Sequence, residues 1–460
     1  MIFRPHSMKI PFPTGGRRWL VLASVVALMI GYVGLAATQF AAAWLGNRVQ
    51  LNSLRRAAWL DPGNADYRDH LGRYYDLVAR DPATAVAYYH AAAQLNPHSA
   101  RYWFDLASAY QVLGDTANQT IALERAIMAD SMTPDVAWEA ANLYLVEGEN
   151  EKALREFRVV LANDASLAPT AIQFCWRIRP DVDALLRDVV PPIGDAYVAF
   201  LILLENDTGR LLREVASATA DADADSQREA QKEVQTKLAL VQQETSGSAK
   251  VWQALMQTHQ TFERRQAFEY FRYLVQQKDV DEAVLVWQQT AELFGLSSYL
   301  PLPNNLIVNS SFSLPPINAG FDWQYHKQGG VEWTLDPTEF HSGQRSLLIA
   351  VDGPGISDAG LTQFVAVQPN TTYDFSAYYK SGEQQGAGAL HFTVQDMYSQ
   401  TVYYESDDLK EASFWKAATG EFTTGPDCKL VLLHVRRLPA GSPIRVKLWI
   451  DDFHLTRKPS

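Results

Sequence analysis

Three hydrophobic patterns follow one another along the chain. Residues 19–37 form an unbroken apolar run with no charge, and Ser24 is its only strongly polar side chain. At about 1.5 Å per helical residue the run approaches the ~30 Å hydrocarbon thickness of a bilayer, and residues 40–45 extend it. From about residue 60 to 164, small and aromatic residues recur on a helical period. Beyond residue 305, apolar and polar positions alternate two by two, as in half-buried strands. The pattern predicts a multidomain chain, α then β: a basic tail (1–18), a transmembrane helix (19–45), an array of paired helices (46–300), a short connector (301–304) and an antiparallel β-sandwich (305–460).

The helical part has an internal repeat. Tyr110 with Gly114 recurs as Tyr144 with Gly148, a spacing of 34, and Tyr75 stands 35 before Tyr110. The first unit carries Leu71, Gly72, Tyr75, Ala85, Tyr89, Ala92 and Pro97. The second carries Trp103, Leu106, Ala107, Tyr110, Gly114 and Ala126, and the third Ala140, Ala141, Tyr144, Gly148, Ala153 and Phe157. Small residues let paired helices approach, aromatics fill the gaps and Gly permits the turn. These positions resemble the tetratricopeptide repeat, which implies an α-solenoid that recruits protein partners. Gln119 departs from the motif, which wants a small Ala there, and the register loosens after Pro169. A further divergent pair is expected at 262–277 and 281–294, joined by Lys278 and Asp279. Three or more units bury a continuous core, so 46–300 reads as one solenoid with a worn middle, bent where Pro180, Pro191 and Pro192 interrupt it. The run Asp221-Ala-Asp-Ala-Asp225-Ser226 looks like the start of a calcium loop, but Ser226 stands where the turn wants Gly and Lys232 where a bidentate Glu is required. It reads as a solvated linker.

In the last third, Tyr373, Phe375, Ala377 and Tyr379 share one strand face, Leu390, Phe392 and Val394 a second, and Val431, Leu433 and Val435 a third. The runs 305–312 and 445–455 are both strand-like, and a jelly roll commonly brings its first and last strands together. The Asn-Ser-Ser-Phe start, Gly320-Phe-Asp-Trp323, the 341–347 and 364–375 segments, Trp415 and the Ile-Asp-Asp-Phe end resemble carbohydrate-binding modules of the galactose-binding-like jelly-roll superfamily. The resemblance implies a glycan as ligand, met by aromatic planes with polar groups beside them. Trp323, Tyr325, Trp333, Tyr378, Tyr398, Tyr403, Tyr404, Trp415 and Trp449 are available, with Trp323 and Trp415 expected in the core. The candidate sugar-binding residues lie on the polar phase of the strands: Tyr378, His391, Gln395, His434 and Arg436. The family also implies a structural calcium, for which Asp451 is the matching ligand. Ser313 stands where the family has an acid, so two readings stay open: a metal site, or Asp451 and Asp452 closing the last strand without one.

Arg4, Lys9, Arg17 and Arg18 precede the apolar run with no acid among them. The positive-inside rule then leaves the N-terminus in the cytoplasm and the bulk periplasmic or extracellular, as in a single-pass protein of a bacterial inner membrane. A cleavable signal peptide, cut near Ala41-Ala-Ala43, is the competing reading, although the run exceeds the usual 7–15-residue h-region. Cys175 and Cys428 are far apart and imply no disulfide framework. The net charge of −12 argues against nucleic acid as a partner. No phosphate-cradling loop, metal motif or nucleophile elbow is present, and Glu405, Asp407 and Asp408 do not by spacing make a glycosidase pair, so an enzyme is not expected. Two functions are expected. One is an anchored envelope factor whose solenoid recruits proteins and whose sandwich touches an exopolysaccharide or other surface glycan. The other is a structural scaffold whose sandwich binds no sugar. Exposed aromatics beside His391, Gln395 and Arg436 favour the first; a face packed on the helices favours the second. The proline-bearing connector predicts a sandwich docked on the last helices.

Overall fold

The computed structural model describes residues 16–220, 227–353, 355–386, 388–441 and 443–459. The basic residues Arg4 and Lys9, the side chain of Arg17 and the acidic stretch 221–226 lie outside the described residues. The chain divides into two compact units, Met1–Pro191 and Pro192–Ser460.

The first unit is helical. Helix α1 (Gly16–Gly46) contains, from Arg18 to Gly46, a segment long and apolar enough to cross a membrane. It is followed by α2 (Leu51–Leu60), α3 (Ala65–Arg73), α4 (Pro82–Leu95), α5 (Ala100–Leu113), α6 (Thr116–Ala129), α7 (Pro134–Glu147), α8 (Asn150–Asn163), α9 (Ala168–Ile178) and α10 (Val182–Asp188). Ala85, Ala92, Ala107, Ala126, Ala140, Ala141 and Ala153 are all fully buried, and these small side chains let neighbouring helices close on one another. Gly72 lies against the Tyr89 ring, where a Cβ would come within 2.5 Å of it.

Turn chemistry explains the repeat. Gly114 and Gly148 end α5 and α7 in the left-handed region, at φ 72° and 78°. Asp115 N–H then reaches Tyr110 O at 3.0 Å and Glu149 N–H reaches Tyr144 O at 2.8 Å. The Asp115 carboxylate caps α6 by accepting from Asn118 N–H. The first hairpin solves the same problem differently. A π-helical turn, Tyr74–Val78, absorbs one extra residue before Arg80 takes the left-handed position at φ 54°. Asp81 N–H meets Tyr75 O at 2.8 Å, and this accounts for a spacing of 35 there.

The second unit opens with two long helices, α11 (Gly194–Ala220) and α12 (Gln227–Gln257), where short worn hairpins were expected. No proline falls within Gly194–Ala220 or Gln227–Gln257, so neither helical ladder is interrupted by one. The pairs Glu214–Lys237 and Thr208–Glu244 show that the two run antiparallel. Helices α13 (Arg264–Gln276) and α14 (Val280–Leu293) follow, with Lys278 left-handed between them and Asp279 capping α14.

The rest of the unit is a sandwich of two antiparallel five-stranded sheets. The first has the order β1 (Gln324–Tyr325), β4 (Asp358–Ala366), β9 (Leu430–Leu438), β6 (Ala389–Asp396), β7 (Val402–Glu405). The second has the order β2 (Val331–Asp336), β3 (Ser346–Gly353), β10 (Ile444–Arg457), β5 (Thr372–Gly386), β8 (Lys416–Thr423). The alternating positions of β5, β6 and β9 meet in one core with Phe312, Trp323 and Phe453. Trp323 is fully buried, stacked on Phe312 at 5.1 Å and edge-on to Phe453 at 5.0 Å.

The opening run is not a strand. Only its first residues join β10, through Leu306 N–H to Leu455 O and the Asn305 side chain to Phe453 O. Residues 308–311 then form a turn, because Asn309 sits at φ 49° and its side-chain amide brackets Leu314 O and N–H.

Within this unit the sandwich packs on the preceding helices. Gly320, at φ 61°, lies under the Trp287 indole, and Phe321 meets Phe271 edge-on at 5.0 Å. Tyr398 Oη donates to Val275 O at 2.9 Å and Lys429 pairs with Asp281.

Candidate functional site

The strand order separates the sequence-derived candidates. His391 and Gln395 on β6 and His434 and Arg436 on β9 share the outer face of the first sheet, in register as His391 opposite Arg436 and Thr393 opposite His434. Tyr378 is on β5, which pairs with β10 and β8, and therefore lies on the outer face of the second sheet. The five do not form one site.

The His face is closed. Every residue of β6 is buried, on both faces. His391, Gln395 and His434 are buried where a solvated polar face was expected, and only Arg436 is half-buried. The connection after β7 supplies the partners of His391, and the start of β4 that of His434. His391 bonds Ser406 O through Nδ1 at 2.7 Å and meets Asp408 through Nε2 at 3.2 Å. His434 Nδ1 lies 2.8 Å from Asp358. Lys410, then His391, hold the Asp408 carboxyl below its usual range despite partial desolvation. His434 Nε2 and Thr393 Oγ1 are buried with no hydrogen-bond partner. Phe364, on the same face of β4, lines a cavity of about 50 Å³ with Trp287 and Val284 of α14. Among the described residues, the exposed aromatics of the sandwich are Phe340 and Phe414, and neither is on the strands that carry the two histidines.

The Tyr378 face is different. The His341 imidazole stacks on the Tyr378 ring at 3.6 Å, and Trp415 meets His341 edge-on at 5.9 Å. Trp415, expected in the core, is half-exposed because it precedes β8 on the outer side of the sheet. Trp449, opposite Lys380 on β10, completes a band of rings with Lys380 over it at 5.9 Å. Its Nε1–H donates to Asp336 at 2.8 Å, and Lys380 pairs with Glu339 at 2.8 Å. Phe340 and Phe414, neighbours in sequence of His341 and Trp415, are 43% and 85% exposed. The face thus offers flat apolar surface with hydrogen-bonding groups beside it, which suits a ligand with both character types. Sequence reasoning singled out Tyr378 but missed His341, which reaches it from a loop outside β5.

Asp451 is fully buried, and burial raises its carboxyl above the usual range against the pull of three backbone donors. These are His341 N–H, Ser342 N–H and Asp452 N–H, all at 2.7 to 2.9 Å. The carbonyl oxygens of Phe312 and Ser313 accept from the Arg345 guanidinium at 2.9 and 2.5 Å. Calcium takes six to eight oxygen ligands. Here the carboxylate faces N–H donors, and a side-chain cation already holds the nearby carbonyls, so these residues do not fit the metal that the resemblance implies. Among the described residues no three His, Cys, Asp or Glu side chains are placed to hold a metal ion.

No curated protein matches the chain. Among solved structures, a CBM4 module is 16% identical, over 33% of this chain and 99% of its own, with a TM-score of 0.26. The CBM22-1 xylan-binding domain from Paenibacillus barcinonensis Xyn10C is 17% identical, over 33% and 93%, with a TM-score of 0.24. TmCBM61, solved with β-1,4-galactotriose, is 17% identical, over 34% and 99%, with a TM-score of 0.25. In sequence, residues 304–437, from the start of the sandwich to the penultimate residue of strand β9, match the family model of a carbohydrate binding domain.

Proposed function

We propose that the protein is a membrane-anchored, extracytoplasmic binding protein without catalytic activity, whose sandwich contacts a glycan through the Tyr378 face. The observation that carries this reading is the band of Tyr378, His341, Trp415 and Trp449 on a domain whose sequence matches a carbohydrate binding family. Ring faces take the apolar faces of pyranoses, and Lys380, Glu339 and Asp336 stand beside them for hydroxyls. The helices of the first unit act as a tetratricopeptide-like surface for envelope proteins, a reading supported by the left-handed Gly114 and Gly148 at the repeat spacing. The pairing suits the assembly, export or retention of an exopolysaccharide or other surface polysaccharide.

A second reading has one observation in its favour. The outer face that carries His391 and His434 is closed, and Phe364 on it packs towards α14. In a scaffold that binds no sugar, the sandwich would serve only to cap the helices.

Affinity electrophoresis of the Pro192–Ser460 unit in gels containing surface polysaccharide of the source organism separates the two. Retardation that persists in chelator is expected. Unchanged mobility of the folded unit on every such polysaccharide would leave the scaffold.

A further inference from the structure

The place where α1 enters the helical array has features that neither glycan binding nor the repeat accounts for. The last turn of α1 is part of the first core of the array: Ala42 is fully buried among Leu54, Ala57, Ala58, Tyr67 and Leu71, and Leu45 packs against the same cluster. Gly46 lies on the Tyr67 ring so closely that a Cβ would come within 2.4 Å of it. Only residues 47–50 separate α1 from α2. The array is therefore fused to the apolar helix without a flexible tether, and a cut near Ala43 would take Ala42 out of that core.

Depth follows from helix geometry. Residues 19–46 carry no charge, and at 1.5 Å per residue they span about 42 Å, the ~40–45 Å thickness of a bilayer with its headgroups. With Arg18 at one headgroup layer, Arg48 falls at the other, and Trp19 and Trp44 lie just inside the two interfaces. At that level the structure has a cavity of about 290 Å³ lined by Gly46, Arg48, Val49, His70, Leu77 and Val78, among others. Val49, Leu77 and Val78 are 77%, 73% and 56% exposed, and the Arg48 guanidinium lies over the Trp44 ring at 3.7 Å. Apolar side chains around a cation, continuous with a membrane span, match the acyl-to-phosphate boundary of a lipid.

We propose that this junction binds a membrane phospholipid, with Arg48 against the headgroup phosphate and Val49, Leu77 and Val78 resting among the upper acyl carbons. The inference rests on the reading of α1 as a retained membrane span. It makes the first helices of the array an interfacial platform that fixes how the array leaves the membrane.

The test uses the full chain in nanodiscs of phosphatidylglycerol and, separately, after transfer to detergent. Native mass spectrometry is expected to find phosphatidylglycerol retained on the wild type in detergent, with at least fivefold less on Arg48→Glu and on Leu77→Ser/Val78→Ser. Hydrogen exchange at residues 47–50 and 74–80 should be slowed in nanodiscs and released in both variants. Both substitutions replace exposed side chains, and unchanged circular dichroism checks that the fold is kept. Equal retention and exchange in wild type and variants, on a membrane-bound chain of full mass, overturns the lipid site alone. A shortened chain recovered in the soluble fraction overturns the anchor reading beneath it. Displacement of the lipid by millimolar inorganic phosphate would assign the cavity to phosphate itself and overturn the lipid assignment.

Discussion

The His341 imidazole lies flat on the Tyr378 ring, with centroids 3.6 Å apart and planes 13° apart, while its Nδ1 meets Asp452 at 3.0 Å. A loop from one edge of the second sheet is thereby pinned to the middle of its outer face. His341→Ala removes both contacts, worth together about 1–2 kcal/mol in exposed settings. It should weaken glycan retardation several-fold while the unit still melts cooperatively. Equal retardation in variant and wild type would show that the ring stack is incidental to binding.

Arg345 joins the opening turn to the loop before β3. Its guanidinium holds the Phe312 and Ser313 carbonyls, and Arg345→Met should cost about 2–3 kcal/mol, because hydrogen bonds to a charged group are lost and carbonyls are left without a donor. Calcium or chelator should not move the wild-type melting temperature. A rise of several degrees with calcium would restore the metal site at Asp451.

Gly320 has two reasons to be glycine. Its φ is 61°, and a Cβ would come within 2.2 Å of the Trp287 ring. Gly320→Ala should therefore loosen the sandwich from α13 and α14, and limited proteolysis should cut the 301–304 connector faster than in the wild type. An unchanged cleavage rate would mean that the other contacts hold the sandwich in place.

Glu244 sits between α11 and α12, accepting from Thr208 Oγ1 at 3.1 Å; burial, then the nearby Asp207, pushes its carboxyl up to about 7. Glu205 is pushed up to about 7 by burial and then by Glu269. Both acids are protonated more readily folded than unfolded, so the folded state binds more protons between their unfolded values near 4.5 and about 7. Their contribution is fully present below pH ~4.5 and is lost as pH rises through ~7. Denaturant unfolding of the second unit should show a stability decline on the order of 5 kcal/mol over that window, flattened in Glu205→Gln/Glu244→Gln. A double variant with the wild-type slope would assign the pH dependence elsewhere.

What was legible in the sequence was whatever depends on neighbours along the chain. Gly114 and Gly148 announced their turns because the left-handed backbone needs them, and the alternation of β5, β6 and β9 named the core face correctly. The same local logic misread residues 308–311, where the apolar pattern of a strand is overridden by Asn309 bonding its own turn. It also could not convert the spacing of 35 into a π-helical turn. The candidate site was less legible because strand order is not written in any one strand. Tyr378 and His391 have the same outward phase, yet β5 neighbours β10 and β8 while β6 neighbours β9 and β7, so they face opposite ways. Asp408, beside His391, comes from the connection after β7, and Asp358, beside His434, from the first residue of β4, a partner strand that no spacing within β6 or β9 encodes.

The most direct measurement is affinity electrophoresis of the Pro192–Ser460 unit on the source organism's surface polysaccharide, comparing one variant from each face. Tyr378→Ala/Trp415→Ala should abolish retardation, and Arg436→Ala, on the closed face of the first sheet, should leave it intact. Loss in Arg436→Ala with full retardation in Tyr378→Ala/Trp415→Ala would contradict the placement of the glycan on the Tyr378 face.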